Sequence, residues 1–334
     1  MKARTFARWA GKSLLSARYG WSWKERVRRV EYADISADEV PCDAVRVDTE
    51  YRNEDAAQRI YAWIEKDGTM RYWTDAETTK LTDISHMLFA GMPAESIDLS
   101  RIDTSEVTDM CGMFFGCENL SHLDLSRFDT SHVRRMDAMF DRCRSLEMLD
   151  LSSFDTSNVD LMLDMFRGCE SLMTVNPSSF DTTLVTDMSK MFLGCKRLES
   201  LDLSSFKTHN VEWMTGMFED CASLTELDLS SFVVTDALVS MDRMFAGCEK
   251  MRSVNLSTVY PVHCVGMNRM FDGCRSLESL DMSHMDVSFV DDTENMLRGC
   301  ESLRTLSLPE DWKEMEKSFL SERREKAGER RRER

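Results

Sequence analysis

The chain has 334 residues, 42% of them hydrophobic, and a net charge of −17. The charge is uneven, since Leu81 to Pro309 holds 37 Asp or Glu against 18 Lys or Arg. So acidic a body excludes non-specific binding to nucleic acid, whose phosphates need Lys and Arg, and no apolar stretch reaches membrane-spanning length.

Residues 1–33 form a basic, aromatic N-terminal arm, with nine Lys or Arg against two acidic residues and with Phe6, Trp9, Tyr19, Trp21 and Trp23 among them. Such a run reads first as a solvated or loosely docked tail, and second as an arm that touches nucleic acid or an anionic surface. No apolar segment of seven or more residues follows the basic start, so no secretory signal is read. Residues 34–83 form an N-terminal capping region. Within it, Ala62-Trp63-Ile64-Glu65 and Met70-Arg71-Tyr72-Trp73 flank Lys66-Asp67-Gly68-Thr69. Asp-Gly between alternating apolar residues predicts a hairpin. A stack of repeats needs its end covered, and Trp63, Tyr72 and Trp73 are expected to cover the first coil.

Residues 84–309 repeat. Cys117, Cys143, Cys169, Cys195, Cys221, Cys248, Cys274 and Cys300 are separated by 26 residues, except for one gap of 27. A fixed period in this range is the mark of a solenoid. Apolar–polar–apolar triplets such as Leu123-Asp124-Leu125 and Leu149-Asp150-Leu151 predict a short strand in each unit, with its middle residue outward. Asp129-Thr130-Ser131 and its equivalents predict a turn. Val133, Met136, Met139 and Phe140 have helical spacing, so a helix of about two turns is expected, ended by Gly in most units. The result is an α/β solenoid of about nine 26-residue strand–turn–short-helix units whose strands form a parallel sheet. The recurring methionines are read as core. The eight cysteines are read as structural, a column of buried free thiols, because stacked equivalent Cβ vectors run side by side and do not face one another. Residues 310–334 predict a charged C-terminal helix and tail, with Trp312, Met315, Phe319 and Leu320 over the last coil.

The unit Leu-Asp-Leu-Ser-x-Phe-Asp-Thr-Ser-x-Val-x-x-Met-x-x-Met-Phe-x-Gly-Cys-x-x-Leu resembles the BspA-type leucine-rich-repeat surface proteins, including the related lipoprotein repeats of mycoplasmas. The resemblance covers about residues 60–309. It implies a right-handed, leucine-rich-repeat-like coil, bacterial origin, display at the cell surface or outside the cell, and binding to a host or neighbouring-cell protein. With no signal peptide read, a cytoplasmic location is the alternative.

No nucleophile, base and orienting group stand together, no phosphate loop or zinc spacing is present, and no cofactor is expected. Two outward Asp columns, one through Asp98, Asp124, Asp150, Asp202, Asp228 and Asp281 and one through Asp103, Asp129, Asp155, Asp181 and Asp286, read first as turn-fixing groups. The second reading is a Ca²⁺ ladder, for which one carboxylate per repeat supplies few of the roughly six to eight ligands. The repeat breaks at Lys207-Thr208-His209, Val233-Val234-Thr235 and Tyr260-Pro261-Val262, and an extra residue falls near Asp236. Apolar and aromatic groups replace the acidic column there, as in a protein-binding patch. Lys207, His209, Trp213, Val233, Tyr260 and His263 are the expected partner contacts. The chain is therefore expected to be a non-catalytic protein-binding or adhesion module. The alternative is an intracellular scaffold or mobile-element protein whose basic arm contacts nucleic acid.

Overall fold

The computed structural model describes residues 26–46, 60–74, 79–84, 87–234 and 237–321. Most of the arm predicted for residues 1–33, and the end of the tail predicted for 310–334, lie outside the described residues. The N-terminal end is built from β1 (Arg29–Tyr32), β2 (Val45–Arg46), β3 (Ile60–Ile64) and β4 (Thr69–Thr74). Strand β3 returns antiparallel as β4 through the predicted hairpin, with Ala62 opposite Tyr72 and Tyr61 opposite Trp73. Gly68 makes the turn possible: its φ is +90°, and a Cβ there would lie 2.4 Å from the Arg26 carbonyl oxygen.

Period-two alternation splits this hairpin between two cores. Ala62, Met70 and Tyr72 join the main core. Trp63 and Trp73 point the other way and form a separate small cluster with Ala33. The expectation that all three aromatic residues cover the first coil is corrected accordingly: only Tyr72 does, and its hydroxyl donates to the Asp98 carbonyl oxygen (3.2 Å). The covering strand is β1, from within the stretch read as an arm. It lies parallel between β4 and β6 (Ser96–Ile97), aligning Val30 with both Met70 and Ile97. The inter-coil ladder also begins early, where β5 (Thr79–Ile84) pairs in parallel with β7 (Ile102–Asp109).

Beyond the cap the chain winds in stacked coils. The apolar–polar–apolar triplets supply β8 (Met148–Asp150), β9 (Thr174–Asn176), β10 (Glu226–Asp228), β11 (Ser253–Asn255), β12 (Ser279–Asp281) and β13 (Thr305–Ser307). They pair only as β8–β9, β10–β11 and β12–β13, so the expected continuous sheet is interrupted. One interruption has a plain cause. Leu229 and Met282 donate their N–H to the next coil, at Asn255 O (3.1 Å) and Ser307 O (2.8 Å). Pro177 holds the same position and has no N–H to give. Continuity is carried elsewhere, by a parallel column of bridges through Asp109, Arg135, Leu161, Asp187, Trp213, Ser240, Gly266 and Asp292.

The predicted short helix is absent, because its backbone bonds run between coils. Ala138, Phe140 and Arg142 donate to Leu163, Met165 and Arg167 of the following coil at 2.9, 2.9 and 2.7 Å. The alternate N–H groups of Met139, Asp141 and Cys143 close local turns on Met136, Ala138 and Phe140. An α-helix would spend all these donors within itself. The third residue of two of these turns has positive φ, +52° at Ala138 and +61° at Arg142, as a type II turn requires. The glycines read as helix ends hold this second position in most units, among them Gly116 (φ +68°) and Gly168 (φ +69°). Three-residue turn spacing turns Val133, Met136, Met139 and Phe140 inward just as a helix would, and all four are fully buried.

Each inward position then stacks on its own kind. Phe89, Phe114, Phe140, Phe166, Phe192, Phe218, Phe245 and Phe271 form a file of near-parallel rings, with centroids 5.2–5.7 Å apart. The eight periodic cysteines are buried and form no disulfide with one another. Their placement explains the residue type: each Sγ donates to the carbonyl of the phenylalanine one coil back, as Cys143 does to Phe114 (3.2 Å) and Cys169 to Phe140 (3.1 Å). A small apolar group with a weak donor suits that site. At the far end, Glu310–Trp312 form a 3₁₀ turn that leads into helix at 313–321, and Trp312, Met315, Phe319 and Leu320 pack on the core.

A buried threonine file sits at the turn. Thr156 Oγ1 donates to Asp181 O (2.9 Å) and accepts from Asp181 N–H (2.8 Å), and Thr104, Thr130 and Thr182 do the same one coil on. The file ends at Thr208, which is fully buried and whose Oγ1 has no partner among the described residues. Val233 N–H, which would have met it, turns back to Ser231 O (3.0 Å).

Two measurements check this arrangement. Thr156→Val is expected to destabilise by about 1–3 kcal/mol in denaturant melts, since it strands a buried N–H and C=O, while Thr208→Val should be neutral or mildly stabilising. Equal losses would contradict the ladder. Burial raises the thiol pKa at Cys143, Cys169, Cys195, Cys221, Cys248 and Cys274. A thiol reagent should therefore label exposed Cys42 at least about a hundredfold faster than the eight periodic cysteines in the folded chain. Rapid labelling of all eight in folded protein would overturn the buried column.

Candidate protein-binding surface

The exterior is built from outward residues at the turns. In the first acidic column, Asp124, Asp150, Asp202, Asp228 and Asp281 each accept the N–H of the serine two residues on, at 2.9–3.0 Å. Asn176 and Asn255 hold the same turn on Ser178 and Ser257. The second column repeats the device, with Asp129, Asp155 and Asp286 receiving Ser131, Ser157 and Ser288. At eight of these aspartates the hydrogen bonds favour the charged form and hold the carboxyl below its ordinary pKa. Asp124, Asp129, Asp181 and Asp286 are lowered mainly by the hydroxyls of Ser126, Ser131, Thr183 and Ser288. Asp150, Asp202, Asp228 and Asp281 are lowered mainly by the backbone N–H of Ser152, Ser204, Ser230 and Ser283. Among the described residues no three His, Cys, Asp or Glu side chains are grouped to hold a metal ion.

The second column changes character along the stack. After Asp181 it continues as Lys207, Val233 and Tyr260 before returning to Asp286. Lys207 pairs with Asp181 at 3.5 Å. Val233 is 56% exposed and Tyr260 48%. On Tyr260's coil, Pro261 and Cys264 turn inward, so Tyr260, Val262, His263 and Val265 face out together. The coil after it adds His284, edge-on to Tyr260 with centroids 5.1 Å apart, and Phe289, edge-on to His263 at 5.1 Å. The coil before it adds Val239, whose carbonyl receives the Val265 N–H (2.9 Å). The result is one apolar and aromatic patch over three neighbouring coils.

The six predicted contacts divide on this geometry. Val233, Tyr260 and His263 lie within the patch. Trp213, 41% exposed, borders it: its neighbour Glu212 accepts the Val239 N–H (2.8 Å). Lys207 is exposed at the margin, and His209 is half-buried on the same coil. Sequence reading named Val262 in the altered turn without listing it as a contact, and missed Val265, His284 and Phe289. Phe289, 55% exposed, had a partial signal, because its column carries His132, Asn158 and Asn210, although Leu184, 48% exposed, also stands in it. Thr235 and Asp236, next to the extra residue, lie outside the described residues. A separate depression of about 430 Å³ at the hairpin end is lined by Arg26, Arg28, Ile64, Glu65, Lys66, Asp67 and Gly68.

Stacked strand-and-turn coils carrying their variation on the outer surface define a repeat solenoid. The sequence matches a family described as "Mycoplasma protein of unknown function, DUF285" over residues 82–176, 148–259 and 235–321, overlapping stretches that together span more than half the chain. The chain belongs to that family. It is also similar to a leucine-rich cell surface protein of Faecalibacterium prausnitzii A2-165 with a known crystal structure. The two share 16% identity, and the match covers 81% of this chain and 96% of the other. The TM-score is 0.23. No curated protein matches.

The acidic turns make a pH prediction. A carboxylate held below its unfolded pKa stabilises the fold above that pKa, and the contribution is lost as pH falls through the lower folded value. Stability should therefore drop as pH falls below about 4. Replacing Asp124, Asp150, Asp202, Asp228 and Asp281 by Asn should flatten the drop while keeping the turns, as Asn176 and Asn255 already do. An unchanged acid slope in thermal melts would refute this role.

Proposed function

We propose that this chain is a non-catalytic protein-binding and adhesion module of the BspA type. On this reading it is a right-handed coil of about nine units, displayed at the cell surface or outside the cell, and its partner is a host or neighbouring-cell protein. The observation that carries the reading is the patch of Val233, Tyr260, Val262, His263, Val265 and Phe289. It interrupts an otherwise acidic exterior, with Trp213 at its edge. Exposed aromatic groups ringed by charge are the usual anchors of protein contacts. The repeat-motif resemblance supports the location and the kind of partner. The backbone ladder that links Glu212, Val239, Val265 and Asp291 holds this side of the patch in shape, which limits the ordering cost of binding.

The test uses the full chain. Binding of labelled protein to intact host-type or neighbouring bacterial cells is compared with that of a Trp213→Ser/Tyr260→Ser/Phe289→Ser variant whose thermal melt matches the parent. A loss of affinity of at least about tenfold is expected from the removal of central aromatic anchors. Binding equal to that of the parent would reject the patch as the contact surface.

A further inference from the structure

The rim of the patch specifies the chemistry of what covers it. On the preceding coil it is bounded by Glu212, with Asp181 and Asp187 one coil further out, and on the Phe289 coil by Asp286, Asp291 and Asp292, with Lys207 at its margin. A complementary occupant is cationic and carries aromatic side chains to set against Tyr260 and Phe289. The chain itself contains such a segment. Residues 1–25 hold Lys2, Arg4, Arg8, Lys12, Arg18 and Lys24 against Glu25, interleaved with Phe6, Trp9, Tyr19, Trp21 and Trp23.

Reach is sufficient. The segment joins the fold beside β1, which pairs with Ile97. The triplets at Leu123, Leu149, Val175, Leu201, Leu227 and Val254 follow in turn, so the patch lies six coils further on, roughly 29 Å at about 4.8 Å per step. Twenty-five extended residues span roughly 80 Å, which also allows for the path around the coil.

We propose that the basic, aromatic segment of residues 1–25 docks on the acidic-rimmed apolar patch of its own chain, covering Tyr260 and Phe289 until a partner displaces it. This rests on the patch being a contact surface and goes beyond that reading by naming its resting occupant. The N-terminal segment then acts as an internal competitor, and a partner must present stronger contacts than the segment's own to open the surface.

Limited trypsin digestion of the full chain tests this without any partner, so its outcome is independent of the cell-binding measurement. Cleavage after Lys2, Arg4, Arg8, Lys12, Arg18 and Lys24 is followed by mass spectrometry. In Tyr260→Ser/Phe289→Ser, and separately in the rim variant Asp291→Lys, these sites should be cut at least tenfold faster than in the parent. Met148→Ser, at a residue exposed outside the patch, should leave the rate unchanged. Protection in the parent should not vary over a hundredfold dilution. Equal rates in the parent and both patch variants would overturn the proposal, as would acceleration by the Met148 change. Protection lost on dilution would assign the segment to a second copy and overturn docking within one chain.

Discussion

The structure depends on one constraint: every coil must hand its backbone N–H groups to the next coil in the same register. Ala138, Phe140 and Arg142 meet that demand through turns that point alternate donors along the stack. Once the register is set, each side chain sits about 5 Å from its own equivalent. Only residues that tolerate a copy of themselves at that distance can recur inside. Phenylalanine does so by offset stacking, cysteine through its bond to the preceding carbonyl, and threonine by donating to and accepting from the following coil.

Outside, the same rule creates a repulsion problem that two columns solve differently. The aspartate columns place like charges in file and hold them with a serine or threonine N–H and, in several turns, the hydroxyl of the same residue. A third column alternates sign instead: Glu118, Arg144, Glu170 and Lys196 are linked at 3.6, 3.7 and 2.8 Å. Such exposed pairs contribute little stability each. Their value lies in avoiding the like-charge stacking that the repeat would otherwise impose. The Val233 to Phe289 patch lies where neither rule applies, and it begins where the threonine file stops at Thr208.

Much of this was legible from residue spacing. The cysteine period revealed the coils, and the breaks at Lys207, Val233 and Tyr260 located the patch, since any outward column can be read by stepping 26 residues. The flanks of the patch were harder to read. Val262 and Val265 face outward because Pro261 and Cys264 turn inward, the alternation that Thr156 and Val159 show around Ser157 and Asp160 in an ordinary coil, but apolar residues at the outward positions conceal it.

The sequence by itself determined the coil, its inward columns and the acidic exterior, because periodicity and polarity are local properties that survive without coordinates. Tertiary structure decided where the backbone bonds run. Offsets of 3, 6 and 7 suit a helix or a file of turns equally, and only a neighbouring coil within hydrogen-bonding distance selects the turns. It also decided which strand closes the first coil. β1 outcompetes the hairpin for that place because its Val30 fits between Met70 and Ile97 in register, a contact between segments far apart in the chain.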